Sequence, residues 1–233
     1  MVLHPWECKT PISFLLFLCS YNVENLHSCS SSYRTAYPIW SKLFNEKLCK
    51  WTCAPIVLKL PLINSYLKKV GYIPAKAKSI VETLTKKEEN VGIILDGIAG
   101  MFQGHDEIAH INQRKGIVKI ALRTGSPLVP VYCFGHTSLW KVLVDPFGIL
   151  ETLSVILDVS VCPFFGRFNW FLGPPQRVAV CVCLGEPVRC PKINDPTKED
   201  IEKYHSQLVQ SYEQLFDQHK EAYGWGDKKL KFV

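Results

Sequence analysis

The sequence predicts an α/β fold with a mainly parallel or mixed central sheet and helices on both faces. Three observations lead there: nearly charge-free strand runs that end on glycine, helical periodicities lying between them, and a length of 233 residues that suits one large domain. The hydrophobic share of 47% against 21% charged residues is an ordinary globular mixture and provides for a sizeable core.

The first element is ISFLLFLC at 12–19. It is too short to cross a membrane, which takes about 20 apolar residues, and it lacks the basic flank and cleavage site of a signal peptide, so it reads as a buried strand. A Ser-rich turn, HSCSSSY at 27–33, follows, and Pro38, Pro55 and Pro61 then punctuate the chain to about residue 65. Residues 75–90 place Ile80, Val81 and Leu84 on one face of a polar helix, and VGIILDG after them is a strand ending in glycine. The next helix, 113–125, carries Ile117, Ile120 and Ala121 on its apolar side and ends at Gly125, a residue suited to the left-handed cap. PLVPVYCFG at 127–135 is the next buried strand, and RVAVCVCLGEPV at 177–188 alternates as another. In the last helix Thr197 and Asp200 form a variant capping box, Ile201, Tyr204, Leu208, Tyr212, Leu215 and Phe216 recur at helical spacing, and Gly224 ends the run.

Charge and cysteine usage narrow the partners. A net charge of +6 suits an anionic ligand or an anionic membrane surface. Nucleic acid is not expected, because there is no basic arm, zinc-finger spacing or base-stacking motif. The ten cysteines include a C-x-x-x-C at Cys49 and Cys53 and an alternating pair at Cys181 and Cys183, but no paired C-x-x-C sets. They read as reduced thiols of a cytosol-facing protein, with no metal site.

In an α/β fold ligands meet the sheet at the carboxyl ends of its strands. His27 follows the first strand and His136 follows PLVPVYCFG; each is either a general base near neutral pH or an ordinary hydrogen-bonding turn residue. Lys115, Lys119 and Arg123 recur every four residues, with Arg114 beside them. That stripe is either a phosphate-binding face or a solvated one. The sequence contains no G-x-S-x-G elbow, Walker loop, dinucleotide-binding glycine motif, H-E-x-x-H or H-x-x-x-x-D.

The blocks RKGIVKIALRTGSPLVPVYCFG at 114–135, GEPVRCPK at 185–192, DPTKEDIEKYH at 195–205, LFDQHK at 215–220 and YG at 223–224 resemble the type-2 diacylglycerol acyltransferase family, which includes monoacylglycerol and wax-ester synthases. The likeness covers about residues 55–233, with the blocks in the family's order. It implies a glycerolipid-acyltransferase-like fold and acyl-CoA-dependent transfer of a fatty acyl chain to diacylglycerol or a related acylglycerol, with acyl-CoA as co-substrate and no bound cofactor. The implied setting is the cytosolic face of the endoplasmic-reticulum membrane and lipid droplets. The implied partners are the two substrates, a membrane surface and, as an oligomer, a second copy of the chain.

The resemblance also assigns residues. NLHS at 25–28 is the nearest counterpart of the family's E-P-H-S block, which makes His27 the candidate base. Backbone N–H groups near Gly97 would serve as oxyanion donors, and Phe134 and Gly135 would wall the acyl site. Arg114, Lys115, Lys119 and Arg123 would meet the phosphates of the cofactor portion of acyl-CoA.

Three departures stand beside these matches. Gly100, in DGIAG at 96–100, occupies the place of a family glutamate; His136 replaces the acidic or amide residue usual after Phe-Gly; and the expectation is a single domain over 1–233 without the family's N-terminal membrane hairpin. Gly100 and the broken His block support an alternative, a catalytically impaired member that binds lipid or partners an active enzyme. FFGRFNWFL at 164–172 is either a shallow lipid-inserting segment or a core loop.

Overall fold

Apolar residues at period two build the sheet and residues at period 3.6 build the helices that cover it. The computed structural model describes residues 14–18, 49–59, 61–95, 107–142, 148–157, 163–171 and 173–233. In chain order the strands are β1 (Phe14–Leu18), β2 (Cys49–Cys53), β3 (Tyr72–Pro74), β4 (Asn90–Ile94), β5 (Ile108–Ala109), β6 (Leu128–Phe134), β7 (Lys141–Val142), β8 (Phe164–Phe165), β9 (Cys181–Leu184) and β10 (Lys231–Phe232). The helices are α1 (Pro61–Val70), α2 (Ala77–Thr85), α3 (Lys115–Thr124), α4 (Ile149–Leu157) and α5 (Lys198–Tyr223).

A six-stranded sheet runs β3-β2-β4-β1-β6-β9. The first five strands are parallel, and β9 pairs antiparallel with β6. The mixed α/β sheet expected from the sequence is therefore present. β5 and β10 form a separate parallel pair, and β7 and β8 an antiparallel one.

Alternation along β6 divides the core. Leu128, Tyr132 and Phe134 pack with α2, α3 and α5, whereas Val129 and Val131 pack with Trp51, Leu67 of α1 and Tyr72. All seven residues of β6 are buried, as a strand covered on both faces requires. Phe134 stacks on Phe216 of α5 at 5.5 Å and meets Tyr223 at 5.4 Å and Trp225 at 5.6 Å. Truncating a buried aromatic of this kind costs about 3 to 5 kcal/mol.

The helix ends follow the sequence signals. Gly125 and Gly224 cap α3 and α5 in the left-handed conformation. At the start of α5, Thr197 Oγ1 accepts from the Asp200 backbone N–H while the Asp200 carboxylate accepts from that of Thr197. β9 is shorter than the alternating run 177–188 suggests. The partner strand β6 pairs with it from Val131 to Phe134, and only Leu128 bridges further, to Val188.

Candidate active site

The parallel register brings three strand ends to one edge of the sheet. Ile94 of β4 pairs with Phe17 of β1, Phe17 with Val131 of β6, and Leu18 with Tyr132. The chain leaves β1 toward His27, leaves β4 toward Gly97 and Gly100, and leaves β6 at Phe134 and Gly135. His27, Gly97 and Gly100 themselves lie outside the described residues. Carboxyl ends of parallel strands, with β1 flanked by the later strands β4 and β6, form the crevice where α/β proteins take ligands.

Beside the end of β6 lies a buried carboxylate. Glu107, just ahead of β5, is 5% exposed and accepts hydrogen bonds from three segments. Tyr132 of β6 donates its hydroxyl to Oε2, Thr137 in the turn after β6 donates to Oε1 at 2.9 Å, and Lys228 of the C-terminal tail donates to Oε1 at 3.1 Å. The Lys228 ammonium also sits 3.9 Å from the centroid of the Trp225 ring. The tail is held further by backbone bonds from Lys231 N–H to the Glu107 carbonyl and from Val233 N–H to the Ala109 carbonyl, both 2.9 Å.

His136 occupies the first position of the turn His136–Ser138 and is buried. Its Nδ1 bonds the Cys133 carbonyl, and its ring meets that of Tyr132 edge-on at 6.0 Å. Burial pushes the imidazole below its ordinary value of 6.5, and Lys228 adds to that; the Glu107 carboxylate and the Cys133 carbonyl act the other way without reversing it. The ring is therefore neutral near neutral pH.

Phe134 and Gly135 are enclosed by the end of α5 and the tail. Gly135 has φ 83°, and a Cβ there would overlap the Tyr223 hydroxyl and the Ala179 carbonyl, which hydrogen-bond each other. Only glycine fits both the turn and that close approach.

The basic stripe of α3 is spread along the helix. Lys115 is paired with Glu202 of α5, and Arg123 lies 3.8 Å from Asp195 near the amino end of β6, while Arg114 and Lys119 are exposed. The stripe thus runs from the first turn of α3 to its last and is partly neutralised by the segment around the start of α5.

Sequence reasoning missed Glu107, Thr137 and Lys228. The available signal was Tyr132, the one hydroxyl in an otherwise apolar strand, since a buried tyrosine O–H needs a partner.

The model of the family described as diacylglycerol acyltransferase matches residues 41–233. The chain belongs to that family. It is 33% identical over 183 residues to diacylglycerol O-acyltransferase 2-like protein 6 of Bos taurus, covering 71% of this chain and 54% of that protein. It is 31% identical over 205 residues to 2-acylglycerol O-acyltransferase 1 of Bos taurus, covering 83% of this chain and 61% of that protein. With diacylglycerol O-acyltransferase 2 of Xenopus tropicalis the identity is 30% over 206 residues, covering 82% and 56%. The chain thus spans little more than half the length of these family members.

The expected residence in the endoplasmic-reticulum membrane and on lipid droplets is corrected. Among the described residues no helix is long and apolar enough to cross a membrane. α5 has the length, at 26 residues, but carries Glu199, Asp200, Glu202, Lys203 and further charges along its exposed side.

The depressed basicity of His136 gives a stability prediction with a definite sign. Above 6.5 the ring is neutral in both folded and unfolded chains; below it the unfolded chain takes up a proton first, so stability falls with acidification until the folded ring also titrates. Unfolding midpoints measured from about pH 7.5 to pH 5 should fall less steeply in His136→Gln than in the wild type. Parallel slopes would contradict the burial argument.

Proposed function

We propose that the chain is an acyl-CoA-dependent O-acyltransferase that moves a fatty acyl group onto the hydroxyl of diacylglycerol or a related acylglycerol. The observation that carries this reading is the family match over residues 41–233, with relatives whose names specify diacylglycerol and 2-acylglycerol as acceptors. The chemistry is modest in its demands. A thioester is already activated, so transfer needs a base for the acceptor hydroxyl, donors for the tetrahedral oxyanion and cations for the phosphates. His27 is proposed as the base, backbone N–H groups near Gly97 as the oxyanion donors, and Phe134 and Gly135 as part of the acyl-site wall. Arg114, at the start of α3, and Lys119 on it are exposed and are proposed to meet phosphate together with Lys115 and Arg123.

A second reading, an impaired member that binds lipid or partners an active enzyme, is favoured by one specific residue. Gly100 puts no carboxylate where the family pattern has glutamate. Transfer of labelled acyl groups from acyl-CoA to diacylglycerol by the purified chain decides between them. The first reading expects labelled triacylglycerol, and about a hundredfold to ten-thousandfold less of it from His27→Ala. Binding of acyl-CoA without product, by a folded chain, favours the second.

A lipid acceptor must be collected from an interface, and one surface suits that task. β7 and β8 present a turn in which Phe168 is 73%, Trp170 63% and Phe171 61% exposed. Its shape is built in: Gly166 N–H bonds the Trp170 carbonyl at 2.9 Å, Arg167 N–H the Pro174 carbonyl at 2.7 Å, and Gln176 Nε2 the Gly166 carbonyl at 2.8 Å. Phe168 and Asn169 hold positive φ angles of 62° and 57° within it. Arg167 lies 5.0 Å from the Phe168 ring centroid, so cationic and aromatic groups share the surface, as at lipid–water boundaries. We expect the chain to sediment with vesicles containing anionic phospholipid, and Trp170→Ser with Phe171→Ser to release it. Sedimentation unchanged by the double substitution would move the contact elsewhere.

A further inference from the structure

We propose that α4 is an in-plane lipid-binding helix, which lays Ile149, Leu153 and Ile156 into the surface of an anionic phospholipid bilayer alongside the aromatic turn after β8. The inference rests on the lipid contact expected of that turn, adds a second element to it, and does not depend on acyl transfer.

α4 is built the wrong way round for a helix at a water-exposed surface. Its sequence, ILETLSVIL, carries six aliphatic residues and a single charge, Glu151. A surface helix of this composition ordinarily turns its apolar stripe to the core. Here the covered residue is Ser154, fully buried, whose hydroxyl donates to the Leu150 carbonyl at 2.7 Å. Ile149, Leu153 and Ile156, at i, i+4 and i+7, form one stripe and are 65%, 40% and 73% exposed. Ser154 stands about 140° round the helix from Ile149, on the opposite side. No described side chain of α4 belongs to any of the three apolar clusters of the fold.

Exposed apolar groups are concentrated in this part of the chain. Six of the nine large apolar residues that are exposed among the described residues lie between Ile149 and Phe171. Such a concentration marks an interaction surface. β7 and β8 pair antiparallel through Lys141 with Phe165 and Val142 with Phe164; α4 is inserted at the Val142 end and the aromatic turn leaves the Phe165 end. Two residues of strand span about 7 Å, so one short ladder carries both apolar groups.

Size and charge favour lipid over a second copy of the chain. A nine-residue helix is about 14 Å long and about 10 Å across, so the outline of its outer face is on the order of 140 Å². A stable protein interface takes roughly 800 Å² from each partner. A lipid surface sets no such minimum, because binding grows with the apolar area inserted and with the attraction of cations for anionic headgroups. Cations stand beside the apolar groups: Lys141 is exposed and donates to Asn169 Oδ1 at 3.2 Å, and Arg167 lies in the aromatic turn, in a chain of net charge +6. Crossing the bilayer takes about 20 apolar residues, so α4 lies along the surface.

The test measures binding of the full chain, without acyl-CoA, to vesicles of phosphatidylcholine and phosphatidylserine. Leu153→Ser with Ile156→Ser should weaken binding at least about tenfold, because two aliphatic side chains lose their burial in lipid. The unfolding midpoint should stay at the wild-type value, since both residues are exposed in the free chain. Binding within about twofold of wild type overturns the inference. If the double variant fails to fold, isoleucine-methyl NMR decides, on the wild type bound to nanodiscs of the same lipids with a nitroxide on the acyl chain. The Ile149 and Ile156 signals should broaden while that of the buried Ile111 stays sharp, and sharp Ile149 and Ile156 signals overturn the proposal. A lipid-free wild type that dimerises, with a monomeric double variant, also overturns it, by making α4 a contact between copies. Vesicle binding lost in Trp170→Ser with Phe171→Ser but untouched by the α4 pair overturns this inference alone, whereas a chain that never binds vesicles overturns the role of the turn as well.

Discussion

A carboxylate taken out of water must be paired, and Glu107 is paired from three directions at once. Removing a charge from solvent costs several kcal/mol, and breaking a buried pair by deleting one partner costs about 3 to 5. The donors come from β6, from the turn after it and from the C-terminal tail, with Lys228 reaching across 121 residues of sequence. Satisfying this one group therefore fixes the relative positions of segments that the chain itself leaves far apart. β10 then adds a strand to β5, and Trp225, under Lys228, packs on Phe134.

The end of β6 is consequently closed on the side of α3 and α5. Phe134 has aromatic neighbours in Tyr132, Phe216, Tyr223 and Trp225, and Gly135 is pressed against Tyr223 and Ala179. On leaving β6 the chain runs directly through His136 and the buried pair Leu139 and Trp140 into β7, whose partner β8 carries the exposed aromatic turn. One short path thus links the carboxyl edge of the sheet, a buried imidazole and a surface suited to lipid. The proposed transfer to an acceptor taken from an interface would use that arrangement.

Elements governed by local chemistry were legible in the sequence. β6 announced itself by an unbroken apolar run, α3 by its period and Gly125, and α5 by Thr197, Asp200 and Gly224. β2, with the sequence CKWTC, was not legible because two polar side chains, Lys50 and Thr52, interrupt the expected apolar run; Thr52 is nevertheless buried, its hydroxyl bonding the Gly92 carbonyl at 3.2 Å. α1 was hidden behind the proline spacing, although Pro61 stands at its first position, where the ring costs no hydrogen bond. Glu107 was the largest omission. No sequence signal singled it out, and what engages it is contact with Tyr132, 25 residues on, and with Lys228. The stripe on α3 was visible as a stripe, but its pairing with Glu202 and Asp195 depends on how α5 and its lead-in pack.

If the charge on Glu107 is what ties the tail to the end of β6, the tail amides report it directly. Native-state hydrogen exchange of the Lys231 and Val233 amides, which bond the Glu107 and Ala109 carbonyls, should be slow in the wild type and at least about tenfold faster in Glu107→Gln. That variant keeps the size of the side chain while removing its charge and one of its two acceptor oxygens. Tail protection unchanged by the substitution would contradict the account, because the tail would then be held by strand pairing and packing alone.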